Sequence, residues 1–285
     1  MEPLSQSLTH MTCPICLVPA SLYCSASVLG KYAVAYYKCS QCQFIFTEPP
    51  YWLNEAYSSA ITRLDIGLVQ RNQLMVPVVK AVINKWFDPA GKFIDYGGGY
   101  GMLVRMMRDQ GFDFYRQDIY CDNLYAESFD ITNVPSFRAD LLTAFEVFEH
   151  LADPVTELQK MLALSDTILF STTIQPTDDV KPQTWWYFIP ETGQHVSLYS
   201  RASLQALADR FNLHYSWKGE DIHIFSRKAI NNHFFKVILN PRVNRFYNIV
   251  SGNRRSLLQQ DFENIQSGLK KASNYLVDNV KIDGL

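Results

Sequence analysis

The stretch KFIDYGGGYGMLVRMMRDQGFDFYRQDIY, residues 92–120, constrains the fold more than any other part of the chain. KFIDY is a short apolar strand, GGGYG a turn, and MLVRMMRDQG has helical period and stops at Gly111. FDFYRQDIY is the next strand. Strand, glycine turn, helix and strand in that order open a doubly wound α/β sheet with a ligand crevice at its strand ends. The glycines do not spell the dinucleotide fingerprint G-x-G-x-x-G, because Met102 stands in the third position. The pattern present is Asp95-x-Gly97-x-Gly99-x-Gly101. Asp118 closes the second strand, where a carboxylate can accept both ribose hydroxyls of an adenosine.

The alternation continues. ADLLTAFE (139–146) is an apolar strand ending in acid, PVTELQKMLAL a helix, and DTILFSTT (166–173) another buried strand. SRASLQALADRFN has a capping serine and a late Asn. LHYSW and IHIFSRK flank the polar turn KGED as a hairpin.

Four of the six cysteines form two C-x-x-C pairs, Cys13/Cys16 and Cys39/Cys42, at zinc-ribbon spacing. MEPLSQSLTH has neither a basic region nor an apolar core, so no secretory signal is expected and the location expected is cytoplasmic. In that setting a structural zinc staple is a better reading than a disulfide framework, with Cys24 a bystander. No segment approaches the length of a membrane span, and a net charge of -2 gives no general reason to expect nucleic acid.

The Asp95–Gly101 pattern resembles the first motif of class I S-adenosylmethionine (SAM)-dependent methyltransferases. Together with YWLNEAYSSAITRLDIGLVQRN, EVFEHLADP and WWYFIPETGQHVSLYSRASL it resembles a bacterial methyltransferase-domain subgroup whose members often carry an N-terminal four-cysteine knuckle. The resemblance spans roughly residues 10–230 and implies a Rossmann-like α/β fold, mostly parallel, with one antiparallel strand near the edge. It implies SAM as cofactor, with Asp95, Gly97, Gly99, Gly101 and Asp118 around it. Arg71, on a helix expected ahead of the first strand, is a candidate partner for the SAM carboxylate, with a solvated surface arginine as the alternative. The expected organisation is a zinc-binding knuckle at 1–50, a helical lid or linker at 51–90, the methyltransferase domain at 91–230 and a C-terminal helical extension at 231–285.

FEVFEHL (145–151) sits where that crevice opens. Glu146, Glu149 and His150 are spaced i, i+3, i+4 and, on a helical turn, share one face. His195, on the loop after the next strand, is a fourth candidate. This constellation resembles that of small-RNA 2′-O-methyltransferases and ubiquinone-pathway O-methyltransferases, where two glutamates and two histidines are associated with a divalent ion. The alternatives are a metal-free His150 base assisted by Glu149, methylating nitrogen or carbon, and a purely structural pair. A non-catalytic zinc-knuckle and SAM-binding module is the alternative from another class. The expected activity is O-methylation of a small molecule or glycan, with His150, Glu149 and His195 catalytic.

Tyr57 and Tyr100 are candidates to line the cofactor cleft, Asp130 to approach the adenine, and Trp185, Trp186 and Tyr187 to stack on an acceptor. Beyond residue 231, Leu258, Phe262, Ile265, Leu269 and Leu276 have helical spacing. Helices packed on the body or on a second subunit are expected there. A lip for a large or membrane-linked acceptor is the sharper reading, from Arg242, Arg245, Arg254 and Arg255.

Overall fold

The computed structural model describes residues 10–58, 62–134, 138–176, 181 and 184–268. It opens with β1 (His10–Thr12), β2 (Pro19–Val28), β3 (Tyr32–Cys39) and β4 (Ile45–Thr47), each antiparallel to the next. The short α1 (Leu53–Ala56) and the long α2 (Leu68–Trp86) lead to the body. The body runs β5 (Lys92–Tyr96), α3 (Met102–Asp109), β6 (Asp113–Gln117), β7 (Leu141–Phe145), α4 (Pro154–Leu164) and β8 (Thr167–Ser171). Then come β9 (Ser197–Leu198), α5 (Arg201–Arg210), the hairpin of β10 (His214–Lys218) and β11 (Ile222–Ser226), α6 (Asn232–Ile238) and α7 (Pro241–Val250). Residues 258–268 are helical. Leu269 and Leu276 lie outside the described residues.

The second sheet has the order β6-β5-β7-β8-β11-β10. Pairings among β5, β6, β7 and β8 are parallel, and β11 is antiparallel to both of its neighbours. One reversed strand next to the edge is the class I methyltransferase sheet. Its central strands are apolar on both faces because both faces are covered. Ile94, Leu142, Ile168 and Phe225 pack to one side, and Phe93, Leu141, Leu169 and Ile224 to the other. Helix starts follow local chemistry. Asp153 caps α4 through the amides of Val155 and Thr156, ahead of Pro154 in the first turn. Ser200 and Ser203 bond reciprocally at the start of α5.

The cysteine-bearing sheet does not end within residues 1–50. Its outer strand β4 pairs with β9, Ile45 opposite Leu198 and Phe46 opposite Ser197. Thr47 N–H donates to the Val196 carbonyl at 3.1 Å. A bare sheet edge is thereby covered by a strand from the body. Further bonds tie the module down. Ser200 Oγ donates to the Cys42 carbonyl at 2.7 Å, and Arg210 donates to the carbonyls of Pro14 and Ile15 at 2.8 and 2.9 Å.

Candidate active site

The two C-x-x-C turns bring four sulfurs together. Cys13 Sγ lies 3.6 Å from Cys42 Sγ, Cys16 Sγ 3.3 Å from Cys39 Sγ and 3.6 Å from Cys42 Sγ. A tetrahedral zinc–thiolate site needs sulfurs about 3.8 Å apart, so the set fits zinc. The turns are built alike. Leu17 and Gln43, each the residue after its pair, take positive φ and donate N–H to the carbonyls of Cys13 and Cys39. Its hydrogen bond from Cys42 holds the Cys13 thiol down at about 5, in the thiolate range. Cys24 is outside this cluster, and burial pushes its thiol up to about 11.

The glycine loop follows β5. Gly97 has φ +65, and a Cβ there would sit 2.7 Å from Val147, so only glycine lets the loop close on the turn after β7. Gly99 also has positive φ, and nothing lies within 4 Å of where its Cβ would be, leaving that backbone open to a ligand. Asp95 is buried below, accepting from Thr143 Oγ1 at 2.7 Å, and burial raises it to about 7. Asp118 stands at the end of β6, as expected, but already serves the loop. It accepts the amides of Gly99 at 2.9 Å, Tyr120 at 2.8 Å and Cys121 at 3.1 Å. Asp130 is bound to Arg116 at 2.9 Å and to Asn123 at 3.1 Å, so its carboxylate is committed inside the protein.

After β7 the chain does not form the expected α-helical turn. Phe148–His150 is a 3-10 turn, entered through Glu146 at φ +54. The one-face argument therefore fails for Glu146. Its carboxylate accepts from Ser171 Oγ at 2.6 Å, while its own N–H donates to the same hydroxyl at 2.9 Å. The other three converge. Glu149, His150 and His195 offer ligand atoms that all lie within 4.8 Å of one another.

Glu149 is fully buried, and neither carboxylate oxygen has a hydrogen-bond partner among the described residues. Burial raises it to about 7, and the nearby Tyr187 and Thr172 hydroxyls temper that rise without reaching hydrogen-bonding geometry. His150 Nδ1 lies 3.1 Å from the Gln194 carbonyl and His195 Nδ1 2.7 Å from the Tyr187 carbonyl. A carbonyl only accepts, so both Nδ1 atoms carry the proton and both Nε2 atoms present lone pairs. Burial lowers His150 to about 4 and His195 to about 3, so both rings are neutral near pH 7. Glu149 thus has no hydrogen-bond partner among the described residues and lies beside two neutral imidazoles. The Val196 N–H donates to the Glu149 carbonyl at 2.9 Å and locks the two segments in register.

Tyr57 joins the two halves of the crevice. Its ring stacks on Tyr120, beside Asp118, at 5.3 Å and meets the His150 ring edge-on at 6.2 Å. Arg71 is ion-paired with Asp65 at 2.6 Å, and its charge reaches Glu146, Glu149 and His150. Tyr100 is half-buried and holds the following loop through its carbonyl. Of the three aromatics 185–187, Trp185 and Tyr187 are buried, and only Trp186 is exposed. Sequence reasoning did not single out Thr172, Ser171 or Gln194. Their roles here are set by backbone placement, for which the sequence carries no local signal.

A mostly parallel sheet with a glycine loop after its first strand, an acid after its second and polar side chains after its next two defines a class I methyltransferase. Residues 70–215, just over half of the chain, match the family model described as a methyltransferase domain, and the chain belongs to that family. It is a SAM-dependent methyltransferase. No curated protein matches it. Among solved structures it is similar to magnesium protoporphyrin IX methyltransferase from Synechocystis PCC 6803 with bound SAH, at 13% identity and TM-score 0.41, covering 62% of this chain and 94% of that one. It is also similar to an O-methyltransferase family protein from Burkholderia thailandensis, at 14% identity and TM-score 0.41, over 63% of this chain and 68% of that one. The plantazolicin methyltransferase BpumL, in complex with monoazolic desmethylPZN analog and SAH, gives 12% identity and TM-score 0.45, over 68% of this chain and 86% of that one. No helix among the described residues is long and apolar enough to cross a membrane.

Proposed function

We propose that the protein transfers the methyl group of SAM to an oxygen of a small hydroxylated molecule or glycan, and that Glu149, His150 and His195 hold a divalent cation beside that oxygen. The observation that supports this reading is the buried, unpartnered Glu149 carboxylate facing two imidazole lone pairs. A cation would satisfy the carboxylate and both imidazoles at once, and a carboxylate with two histidines suits magnesium, manganese, iron or zinc. The carbonyls of Gln194 and Tyr187 fix both tautomers, as partners of ligating histidines do. A bound cation supplies Lewis acidity that lowers the pKa of an acceptor hydroxyl.

The chain's own residues do the rest. The Gly97–Gly101 loop and Asp95 receive the amino-acid end of SAM, and Asp118 keeps acceptor capacity for the ribose. Arg71 is placed to offer part of its guanidinium to the SAM carboxylate. Tyr57 covers the crevice between the two groups and excludes water. The in-line displacement needs oxygen, methyl carbon and sulfur aligned, which is a positioning task. Glu146, bound to Ser171, shapes the wall and adds charge nearby. The four cysteines hold zinc as a structural staple.

A metal-free His150 base is a weaker account. Held near 4 by burial, its ring is a poor acceptor for an alcohol proton at neutral pH. Manganese titrated into purified protein and followed by electron paramagnetic resonance tests the proposal. One tightly bound ion, lost in Glu149→Gln and His195→Ala but retained in Cys24→Ser, which lies outside both clusters, is the expected result. Methylation of catechols or sugars that persists unchanged after that ion is chelated would overturn it.

A further inference from the structure

Helix α7 is amphipathic in the reverse sense. Its inward side is polar. Asn244 and Asn248 donate to the Pro77 carbonyl of α2 at 3.2 and 2.9 Å, and the Tyr247 hydroxyl donates to the Asn84 carbonyl at 3.1 Å. Its outward side carries Val243, Phe246, Ile249 and Val250, all exposed, Phe246 and Ile249 by 66% and 68%. Phe234 and Val237 on the neighbouring α6 are exposed as well. A soluble helix ordinarily turns such residues inward, and scattered exposed apolar residues need no explanation, but a continuous stripe opposite a polar docking face does.

The charge around this stripe is one-sided. Residues 222–260 contain seven Lys and Arg and no Asp or Glu, in a chain whose net charge is -2. Arg242, Arg245 and Arg255 are exposed, and none has an acidic partner among the described residues. On the helical wheel Arg242 falls within the apolar stripe and Arg245 at its edge.

We infer that α6 and α7 form a docking surface for an anionic lipid bilayer, lying in the headgroup layer with the apolar stripe inward and the arginines against the phosphates. Two other occupants fit less well. A second copy of the chain would oppose two cationic, acid-free surfaces, which repel. Residues 269–285 offer Asp278 and Asp283 against Lys270, Lys271 and Lys281, so they bring no acidic surplus. An anionic membrane surface supplies both terms, an apolar boundary and negative charge.

Flotation of the full-length protein with vesicles tests this. Vesicles of phosphatidylcholine with about a third phosphatidylglycerol should carry the protein, pure phosphatidylcholine vesicles at least about tenfold less, and 0.5 M salt should release it. Arg242→Gln with Arg245→Gln, and separately Phe246→Ser with Ile249→Ser, should each weaken binding about tenfold or more. Circular dichroism and SAM affinity should stay unchanged in both, since these side chains point away from the core. Absence of binding to the anionic vesicles, or equal binding by both variants, overturns the inference. A dimer in sedimentation equilibrium that Phe246→Ser with Ile249→Ser disperses, without vesicle binding, assigns the face to a second copy instead. Binding that appears only after residues 269–285 are removed assigns it to that segment.

Discussion

The cysteine cluster and the glutamate–histidine cluster each gather metal-ligating atoms within 4.8 Å, but the first is mostly buried whereas in the second only Glu149 is, and they are built differently. Four sulfurs from two near-identical turns of one sheet close a tetrahedron and leave no position for a reactant. The second cluster takes Glu149 and His150 from the turn after β7 and His195 from the loop before β9, three ligands among the described residues. The Tyr57 ring lies beside it, edge-on to His150 at 6.2 Å. On the proposed reading the first arrangement gains stability when zinc fills it. The second costs stability while it is empty, because its buried carboxylate has no hydrogen-bond partner among the described residues. The two are also joined. The sheet that carries the cysteines ends on β9, two residues beyond His195, so it braces one wall of the proposed site.

The largest test of this contrast removes one ligand from each cluster. Cys39→Ser should cost on the order of 5 kcal/mol, most of the stability of an ordinary domain, with zinc lost and strand signal reduced in circular dichroism. Glu149→Gln should do the reverse to stability, raising the melting temperature of the metal-free protein by removing a stranded charge worth about 1–3 kcal/mol, while turnover falls at least about a hundredfold. If Glu149→Gln lowers stability as Cys39→Ser does, the two clusters are alike and the distinction collapses.

A smaller effect concerns the cofactor side. Asp118→Ala should weaken SAM binding about ten- to a hundredfold by calorimetry, since charged hydrogen bonds to the ribose and the brace on the Gly99 amide are both lost. Unchanged affinity would remove the ribose assignment.

The smallest effect is in pH. Burial raises Glu146 and Glu149 from 4.5 to about 7, so the stability these groups favour is complete below 4.5 and is lost as pH rises through 7. Burial lowers His150 and His195 from 6.5 to about 4 and about 3, so they cost stability only as pH falls below 6.5. Between pH 6.5 and 8 the raised acids, Asp95 among them, lose stability as pH rises, while the lowered Cys13 thiol of an empty cysteine cluster gains it. Protein with zinc on its cysteines and no ion at Glu149 should therefore lose stability across that window, by roughly 1 kcal/mol per carboxyl, with a shallower slope in Glu149→Gln. Urea midpoints at several pH values would show it, and a flat profile would mean the acids are solvated.

Local features were legible without coordinates. The C-x-x-C turns, the glycine loop, Asp118 at a strand end and the Glu149–His150 pair each span a few residues, and short-range geometry dictates what they can do. Glu146 was misplaced for a related reason, since i, i+3, i+4 spacing presumes an α-helix and the chain makes a 3-10 turn from a positive-φ residue instead. The capture of Glu146 by Ser171, the carbonyls that fix both histidine tautomers and the pairing of β4 with β9 have no sequence signature.

By itself, then, the amino-acid order determined the α/β sheet, the SAM-type loop and the thiolate set, because hydrophobic period, glycine torsion and thiol spacing act over short stretches of chain. Which acid is left without a partner, and which ring nitrogen faces it, only the tertiary structure decided. Those outcomes depend on where backbone carbonyls come to rest, that of Gln194 against His150 44 residues away in the chain, and that follows from packing between segments rather than from any one of them.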